Sequence, residues 1–598
     1  MVYLISILVY LFALTGIGVH MSRRVKTQAD FAVAGRTLSP WVMVCTMLAV
    51  WIGTGSIVGN AGQAFRDGMA ALILPSGTFF GMILLSMIAH KARSIEVSSV
   101  PEIIGSRYGR TARLLAVVAL IIAYMVIVSY QFNAGGMVLE VITGKKDPVV
   151  VQPSSEVTAS QVGKGHLVFE PQADWTGTAT MGFQVKTDDG WAPQAKTFTV
   201  DVVAGRDIIE AQERLAAAGA VNHVAVKTNS MAKIVIEGHE ADAEDRVRGY
   251  RVTSLPQHGR LILSEPRLTA HDATIIAAIF IITYTMLAGL LSLAFTDIVT
   301  GTIITVSLVI AFPVLLLKAG GFAGMTEAFA AMGDRPDHMR FWGVYSPVTI
   351  INYCLPVFLL VLGDANQYQR IFASKNAKGA RTAVLIMIFL ALIIELLIIS
   401  SAWISSSLIP DPENGRYVLI YAAKHFMPLP LGILFLVTVV GIIISTADSF
   451  LLVPATTFIK DVYLAHINPK ASEKHVVLIS RLLVLAFGII AYLVSLAFAE
   501  STTVFRKALY AFTIYGAAIT PCLVAAMFWN RSTKYGAIAS ILVGTFTALA
   551  WEELRFIKAA LPAWAADLDA VLPAITLSVV ALVGVSLLTE RTNPTGTE

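Results

Sequence analysis

Cysteine and charged residues are both scarce in this chain of 598 residues. Its three cysteines (Cys45, Cys354 and Cys522) form no Cys-x-x-Cys pair, which excludes a disulfide scaffold and disfavours a zinc site. Charged residues make up 14% of the chain, whereas an average soluble domain has about 25%. The net charge is only +4, and no basic stripe is interleaved with aromatic residues, so nucleic-acid binding is not expected.

Long hydrophobic segments make up much of the chain. Hydrophobic residues make up 56% of the chain and the mean hydropathy is +0.71, which is too apolar for a water-soluble protein. A bilayer core needs about 20 apolar residues per helix. The sequence therefore predicts an all-α polytopic membrane protein, embedded in a lipid bilayer, with about thirteen transmembrane helices. The predicted spans are 3–20, 41–62, 70–90, 112–136, 272–292, 298–317, 346–363, 382–403, 429–458, 476–499, 508–529, 534–552 and 571–588.

Lysines and arginines in the short loops predict the orientation of these spans. The first run has no basic region before it and is followed by Arg23, Arg24 and Lys26, so we expect an uncleaved helix rather than a signal peptide. With the N-terminus outside, the inner loops carry about twice as many lysines and arginines as the outer loops. The protein is predicted to lie in the cell inner (plasma) membrane. Because the number of spans is odd, its C-terminus is then on the cytoplasmic side.

Four segments follow from this topology. They are a first transmembrane segment with spans 1–4 (residues 1–142), an extracytoplasmic β-rich insertion (143–270), a second transmembrane segment with spans 5–13 (271–589) and a cytoplasmic tail (590–598).

The insertion alternates apolar and polar residues, as half-buried strands do. HLVFEP (166–171), MGFQVKTDDG (181–190) and KTFTVDVV (196–203) show this period, and RDIIEAQERLAAAGA (206–220) is typical of a helix. Residues 160–203 resemble the end of a cadherin-like tandem-repeat module, a β-sandwich. Such modules sometimes bind calcium, whereas aspartate also favours turns. The candidate ligands are Asp174, Asp188, Asp189 and Asp201. The resemblance identifies no external partner for the insertion.

Two spans contain residues that weaken a membrane helix. The second span contains CTMLAVWIGTGSIVGNAG (45–62), which is rich in glycine. Small residues allow close helix packing, and they also allow an unwound stretch whose free carbonyls line an ion and solute cavity. The seventh span is interrupted by Asn352, Pro356 and Gly363. Because inverted five-helix repeats place their broken helices five spans apart, this pairing favours the unwound stretch.

The ninth span combines hydroxyl groups with a carboxylate. Ser445 and Thr446 supply adjacent hydroxyls, and the carbonyl of Ile442 lies near the Ser445 hydroxyl on a helix. Hard cations prefer such oxygens, although these hydroxyls can also bond back to the carbonyl four residues earlier. A carboxylate near the membrane centre costs about 2.5–3.5 kcal/mol on insertion scales. Asp448 is therefore a candidate second cation or proton site, unless it lies near the inner interface.

Several motifs, in order, resemble the sodium:solute symporter family. They are DFAVAGRTLSP (30–40), FTD (295–297), GDANQYQRIFASKNAKGAR (363–381), the hydroxyl pair with the terminal KDVY (460–463), and PCLVAAMFWNRSTKYGAIAS (521–540). The resemblance covers residues 1–142 and 271–588. It implies the five-plus-five inverted-repeat fold of the leucine transporter, with extra flanking helices.

The resemblance also implies a sodium site and two further functional residues. The implied sodium ligands are the carbonyls of Ala49, Ile52 and Ile442 and the hydroxyls of Ser445 and Thr446. Asp297 matches an aspartate that assists sodium passage or forms a second sodium site, and Arg36 matches a functionally sensitive loop arginine.

The predicted function is sodium-coupled symport of a small polar organic solute by alternating access, with sodium co-transported. The candidate solute contacts are Trp51, Gly53, Ser56, Gln131, Asn352 and Tyr515. For Trp51, a cation–π contact with a quaternary ammonium competes with ordinary packing. The alternative is a transporter-like membrane sensor whose external β domain binds a ligand, but no signalling domain follows residue 589. The sequence has no His-rich metal cluster, nucleophile elbow or phosphate-binding loop, so an enzyme is not expected.

Overall fold

The computed structural model describes most of the chain, with gaps mainly in loops and at the ends. The described residues are 2–22, 27–95, 97–143, 149–163, 165–188, 190–204, 208–217, 222–228, 230–236, 247–264, 268–287, 289–333, 335–409, 415, 417–498, 503–551, 562 and 568–590. The predicted tail, apart from residue 590, and Asp189 lie outside these ranges.

Helices precede the insertion. They are Val2–Ser22 (α1), Gln28–Val33 (α2), Pro40–Trp51 (α3), Ala61–Asp67 (α4), Pro75–Ser94 (α5), Val100–Tyr108 (α6) and Arg110–Thr143 (α7). Short turns of 3₁₀-helix (Ala34–Arg36 and Gly68–Ile73) and a π-helix (Gly55–Asn60) connect some of them. The start of α3 is well specified, because Pro40 occupies its first turn and the Ser39 hydroxyl accepts a hydrogen bond from the Val42 amide.

The described residues between α7 and the next membrane helix form ten strands and two short helices. The strands are Val149–Val150 (β1), Glu156–Thr158 (β2), Leu167–Pro171 (β3), Gly177–Thr187 (β4), Gly190–Trp191 (β5), Lys196–Val203 (β6), His223–Lys227 (β7), Ala232–Lys233 (β8), Gly249–Ser254 (β9) and Gly259–Leu263 (β10). The helices are Ala159–Gly163 (α8) and Ile208–Ala217 (α9). One sheet has the order β1-β10-β3-β8, and the other has the order β2-β9-β4-β6-β7, with β5 paired to β4.

This segment has a hydrophobic core of its own, built by alternate residues of its strands. Along β4, the residues Ala179, Met181, Phe183 and Val185 are buried, while their neighbours are more exposed. The pairing of β6 with β7 is parallel and is connected through α9, whereas the other described strand pairs are antiparallel. The cadherin-like resemblance and the location outside the membrane stay predictions.

Helices resume after the insertion. They are Ala270–Leu287 (α10), Leu290–Lys318 (α11), Gly321–Met332 (α12), Pro347–Gly363 (α13), Ala365–Ala373 (α14), Ala377–Leu408 (α15), Val418–His425 (α16), Leu429–Phe458 (α17), Glu473–Phe498 (α18), Val504–Phe528 (α19), Lys534–Ala550 (α20) and Val571–Thr589 (α21). A π-helix, Ile459–Ile467, extends α17 without a gap. The predicted overlong ninth span is therefore a helix that continues past residue 458.

Fewer than thirteen helices in the described part of the chain qualify as membrane crossings by their length and composition. Ten helices among the described residues are long and apolar enough to cross a membrane, or eleven if the bent pair Pro40–Trp51 and Gly55–Ile73 counts as one. Every predicted span corresponds to a helix or to this bent pair. However, α5 and α20 do not meet the length and hydropathy expected of a membrane crossing. Helix α20 has only 17 residues, and α5 has Lys91 and Arg93 in its last turn. Thirteen crossings therefore remain unconfirmed.

The two predicted helix interruptions are both present, but one of them is displaced. The chain bends by 51° between α3 and the π-helix that follows it. In the seventh span, α13 continues through Asn352 and Pro356 and ends at Gly363. Asp364 then leaves helical geometry, with φ −57° and ψ 110°, and caps α14 by accepting a hydrogen bond from the Asn366 amide. The seventh span is therefore interrupted at Asp364.

Candidate functional site

The break in the second span lies directly against the ninth span. Ile52, which follows α3, has φ −75° and ψ 88°, so the helix is interrupted there. A Cβ atom placed on Gly53 would lie 3.0 Å from Cγ2 and 3.1 Å from Oγ1 of Thr446. Glycine at position 53 thus permits the close approach of the unwound segment to the hydroxyl pair on α17. The sequence-predicted elements are neighbours in space.

Oxygen atoms from three helices converge beside this break. The Ser445 hydroxyl donates to Asp297 Oδ1 at 2.6 Å and lies 3.3 Å from the carbonyl oxygen of Ala49. The Thr46 hydroxyl also donates to the Asp297 carboxylate. The Thr446 hydroxyl oxygen is buried and has no hydrogen-bond partner among the described residues. These groups are the hard, mostly neutral oxygens that a small monovalent cation prefers.

The remaining implied sodium ligands lie at the same place in the fold. Ile52 is fully buried at the break, and its amide donates to the carbonyl of Leu48 at 2.9 Å. Ile442 is also fully buried and lies one turn before Ser445 on α17. Their carbonyls therefore belong to the two segments that meet at Gly53 and Thr446.

A buried arginine completes the polar cluster around Asp297. Arg370 on α14 is fully buried, and its Nη2 lies 3.8 Å from Asp297 Oδ2 and donates to the Ser449 hydroxyl at 2.8 Å. The Ser449 hydroxyl in turn lies 3.5 Å from Asp448 Oδ1. Asp448 is buried on α17 and is connected to Arg370 through the Ser449 hydroxyl.

A cavity adjoins the hydroxyl pair, and four of the predicted solute contacts line it. It has about 700 Å³ of unoccupied space, counting its open mouth. Trp51, Gly53, Ser56 and Gln131 line its wall, as does Thr446. A mostly apolar wall with a few polar groups is the usual composition of a small-molecule site.

Gln131 is held at the cavity wall by the broken helix. Its side-chain oxygen accepts a hydrogen bond from the Thr54 hydroxyl, while its amide nitrogen has no partner among the described residues. The nitrogen is thus a hydrogen-bond donor available to a solute.

The other two predicted solute contacts, Asn352 and Tyr515, do not line the cavity. The side-chain oxygen of Asn352 accepts a hydrogen bond from the Asp569 amide. Tyr515 on α19 is fully buried and donates its hydroxyl to the carbonyl of Gly363 at 2.8 Å. This carbonyl lies at the break before α14, so Tyr515 satisfies a backbone group freed by the interruption.

Two acidic residues in the cavity wall were missed from the sequence. Glu395 lies in the middle of α15 and Asp364 lies at the break before α14; both line the cavity. Glu395 stands in the apolar run LALIIELLIIS (390–400), and an ionisable residue inside a membrane helix is in itself a signal of function. Asp364 belongs to one of the family motifs, but nothing in the sequence predicted that it would line a cavity.

The loop arginine Arg36 does not line the cavity, and its described hydrogen bond is not to the oxygen cluster around Asp297. It follows two residues with positive φ and itself has φ 57°, and its guanidinium donates to the carbonyl of Val97 at 3.1 Å. Next to it, Leu38 pairs with the segment after α14, through a hydrogen bond from its amide to the carbonyl of Ala373. Arg36 therefore links its loop to the segment at Val97, and Leu38 links the same loop to the segment after α14.

The candidate calcium ligands of the insertion do not come together among the described residues. Asp188 pairs with Arg248, and Asp201 accepts hydrogen bonds from Thr178 and His223. Asp174 adopts φ 58°, which is typical of a turn. No group of three or more His, Cys, Asp or Glu side chains in the described part of the chain could hold a metal ion.

The described structure combines a helical membrane core with a broken helix that lies beside a cavity. A sequence model of the sodium:solute symporter family matches residues 31–149 and 255–544, on both sides of the insertion. The chain belongs to the sodium:solute symporter family, and it is a multi-pass membrane protein.

Relatives with assigned roles are transporters. The chain is 29% identical over 318 residues to the osmoregulated proline transporter OpuE of Bacillus subtilis (strain 168), covering 52% of this chain and 62% of that protein. It is 26% identical over 294 residues to the human high affinity choline transporter 1, covering 46% of this chain and 49% of that protein. The match thus spans about half to three fifths of the length of these relatives.

Solved structures share the fold over nearly the whole chain. A Na⁺-coupled sialic acid symporter in a substrate-bound, outward-open state aligns with a TM-score of 0.65 and 14% identity, covering 99% of this chain and 98% of that chain. A nucleobase-cation-symport-1 family transporter in a closed conformation aligns with a TM-score of 0.52 and 9% identity, covering 95% and 96%. At these identities the likeness concerns the fold.

Proposed function

We propose that the protein couples the entry of Na⁺ to the symport of a small polar organic solute across the cytoplasmic membrane by alternating access. The observation that carries this proposal is the contact of Gly53 with Thr446, because it joins the broken helix, the oxygen cluster and the solute cavity at one point. Family membership and the sodium-coupled relatives support the choice of ion.

The proposed Na⁺ ligands are the carbonyls of Ala49, Ile52 and Ile442 and the hydroxyls of Ser445 and Thr446. Ser445 can donate its proton to Asp297 and still present a lone pair to the ion. The charges nearby also suit one cation. When Asp297 and Asp448 are both ionised, they carry two negative charges and Arg370 carries one positive charge, so one Na⁺ brings the cluster to neutrality.

Coupling follows from the shared position of Gly53 and Thr446. Na⁺ held by both segments fixes the unwound residues 52 and 53, and Gly53 forms part of the cavity wall. A solute that enters an already ordered wall has less conformational entropy to lose, so ion and solute bind cooperatively. An inside-negative potential of 100 mV adds about 2.3 kcal/mol of driving force for each Na⁺.

The proposed arrangement in the membrane extends the fold that is shared with the symporter structures. We place the N-terminus and residues 143–270 outside and the C-terminus inside, with spans 1–4 and 5–13 on either side of the insertion. The spans from the second onward form two inverted repeats of five helices, and their first helices carry the breaks at Ile52 and Asp364.

Sodium binding can be tested without knowledge of the solute. The thermal unfolding temperature of the purified full-length protein is expected to rise with Na⁺ at constant ionic strength and not with K⁺, because only the native state holds the ion. In proteoliposomes, an inward Na⁺ gradient should drive uptake of labelled L-proline or choline, the solutes named for its relatives. Equal stabilisation by Na⁺ and K⁺ would contradict sodium coupling.

Removal of the insertion tests the rival interpretation as a sensor. Replacing residues 145–268 by a short Gly/Ser linker is expected to leave Na⁺-driven stabilisation and uptake within about twofold of the full chain, because no insertion residue lines the cavity among those described. The ends can be joined, since Gly136 on α7 packs against Thr274 on α10. Loss of transport by a deletion variant that folds and still binds Na⁺ would show that the insertion takes part in transport.

A further inference from the structure

The ionisable side chains in the described wall of the solute cavity are all acidic. Its two ionisable acids, Asp364 and Glu395, are accompanied by no lysine, arginine or histidine among the described lining residues. Six aromatic residues also contribute to the wall: Trp51, Tyr130, Tyr353, Phe450, Phe505 and Phe512. Aromatic faces attract cations through their quadrupole, and carboxylates attract them through charge. Both features favour a positively charged ligand.

Glu395 is the acid that remains available to such a ligand. The residue is 3% exposed, and its Oε1 accepts hydrogen bonds from Trp51 Nε1 at 2.9 Å and from the Thr78 hydroxyl at 3.2 Å. The other oxygen, Oε2, is buried and has no hydrogen-bond partner among the described residues. No basic side chain in the described part of the chain forms an ion pair with Glu395. A buried carboxylate without a cation is costly, so a cation that reaches Oε2 is bound favourably.

Asp364 differs, because its contacts already have a structural use. Its Oδ1 accepts hydrogen bonds from the Tyr124 hydroxyl at 2.6 Å and from the Asn366 amide at 3.1 Å, which fixes the break before α14. The Na⁺ cluster has its own carboxylate in Asp297. Neither residue therefore competes with Glu395 for the role of counter-charge in the solute cavity.

We propose that the transported solute has a net positive charge on a nitrogen and that Glu395 binds this nitrogen, with Trp51 both orienting the carboxylate and offering its ring face. This inference rests on the proposed transport function and narrows its solute to organic cations. The two neutral donors hold the carboxylate in place through Oε1, and Oε2 keeps its hydrogen-bonding capacity because it has no partner among the described residues. Phe450 and Phe512 supply further apolar surface for the carbon atoms around the nitrogen.

The test compares charged probes with neutral probes of the same shape on the purified full-length protein in Na⁺. The charged probes are choline, putrescine and agmatine. The neutral match to choline is 3,3-dimethylbutan-1-ol, in which carbon replaces the nitrogen, and L-proline and glycine betaine represent zwitterions. We expect at least one organic cation to raise the unfolding temperature and to bind about tenfold or more tightly than any neutral or zwitterionic probe. Equal or better binding of the neutral or zwitterionic probes, or no binding by any cation, would overturn the inference.

Variants assign the effect to Glu395. Glu395→Gln keeps the shape and removes the charge, and it should weaken binding of the cation about tenfold or more, whereas Glu395→Asp should retain part of it. Glu327→Gln on α12, an exposed position outside the cavity, is the matched control and should bind as the unaltered protein does. Should Glu395→Gln fail to fold, the probe series and Glu395→Asp still test whether the cavity prefers cations and whether Glu395 binds them.

The outcomes separate this inference from the proposed function. If Glu395→Gln keeps its preference for cations and loses only a pH dependence of transport, the carboxyl is a proton site and the inference is wrong. If Na⁺ stabilises the protein but cations do not bind, the solute class is wrong while sodium coupling stands. If Na⁺ itself has no specific effect, the proposed function fails first.

Discussion

Replacing Ser445 and Thr446 together by alanine is expected to raise the Na⁺ concentration that gives half-maximal stabilisation or uptake by about tenfold or more. The two hydroxyls are proposed ion ligands, and each oxygen lost weakens a charge-assisted contact. Thr446 should account for much of the effect, because its hydroxyl oxygen has no protein partner among the described residues and touches the broken helix at Gly53. The measurement is a Na⁺ titration of the unfolding temperature at constant ionic strength.

A control on the same helix makes this result specific. Thr438 lies two turns before Thr446 on α17, is equally buried, and donates its hydroxyl to Ser307 at 2.9 Å. Thr438→Ala should alter overall stability slightly and leave the Na⁺ titration unchanged. A double variant of Ser445 and Thr446 with the Na⁺ dependence of the original protein would remove the proposed ion site.

The residues predicted for the ion site were accessible to sequence reasoning because they are locally conspicuous. Glycines beside Trp51 mark a weak helix, and two adjacent hydroxyls on a long apolar span mark a candidate cation contact. The structure brings these two segments together at Gly53 and Thr446. That they meet depends on the packing of distant helices, and it became an expectation only through the resemblance to a family.

The solute cavity was harder to predict, because it depends on how each helix is rotated about its own axis. Asn352 and Tyr515 lie on the expected spans but face other helices, where they bond to the backbone of Asp569 and Gly363. Glu395 was missed although its position in an apolar run is a signal by itself. Its contact with Trp51, 344 residues away along the chain, could not be read from sequence.

The count of membrane spans shows a different limit. Every span predicted from hydropathy falls on a helix or on the bent pair, yet α5 and α20 are not apolar or long enough to be identified as crossings by themselves. Helix α5 has basic residues in its last turn, and α20 is short. A helix bundle tolerates both features where neighbouring helices, rather than lipid, cover much of the helix surface. Composition alone does not distinguish that case from a helix that lies at the membrane surface.

Replacing Arg370 by glutamine is expected to lower the free energy of unfolding in Na⁺-free buffer by about 3–5 kcal/mol, because it leaves two buried carboxylates with no fixed positive charge. Arg370 is fully buried and each part of its guanidinium is engaged, with Thr46, Asn366 and Ser449 as hydrogen-bond partners and Asp297 at 3.8 Å. Adding Na⁺ should recover part of the lost stability, since the ion supplies a charge where the arginine is missing.

Removing one carboxylate as well distinguishes charge balance from packing. Asp297→Asn in the Arg370→Gln background should restore part of the lost stability, and the cycle of single and double variants gives the coupling between the two groups. Arg531→Gln is the matched control: Arg531 pairs with Glu590 at 2.7 Å on the surface, where water screens the charges, so little change is expected. If the loss in free energy of unfolding in the double variant equals the sum of the losses in the two single variants, Arg370 and Asp297 are not coupled. The guanidinium would then stabilise the bundle through its hydrogen bonds to Thr46, Asn366 and Ser449, and the charge balance proposed for one Na⁺ would lose its basis.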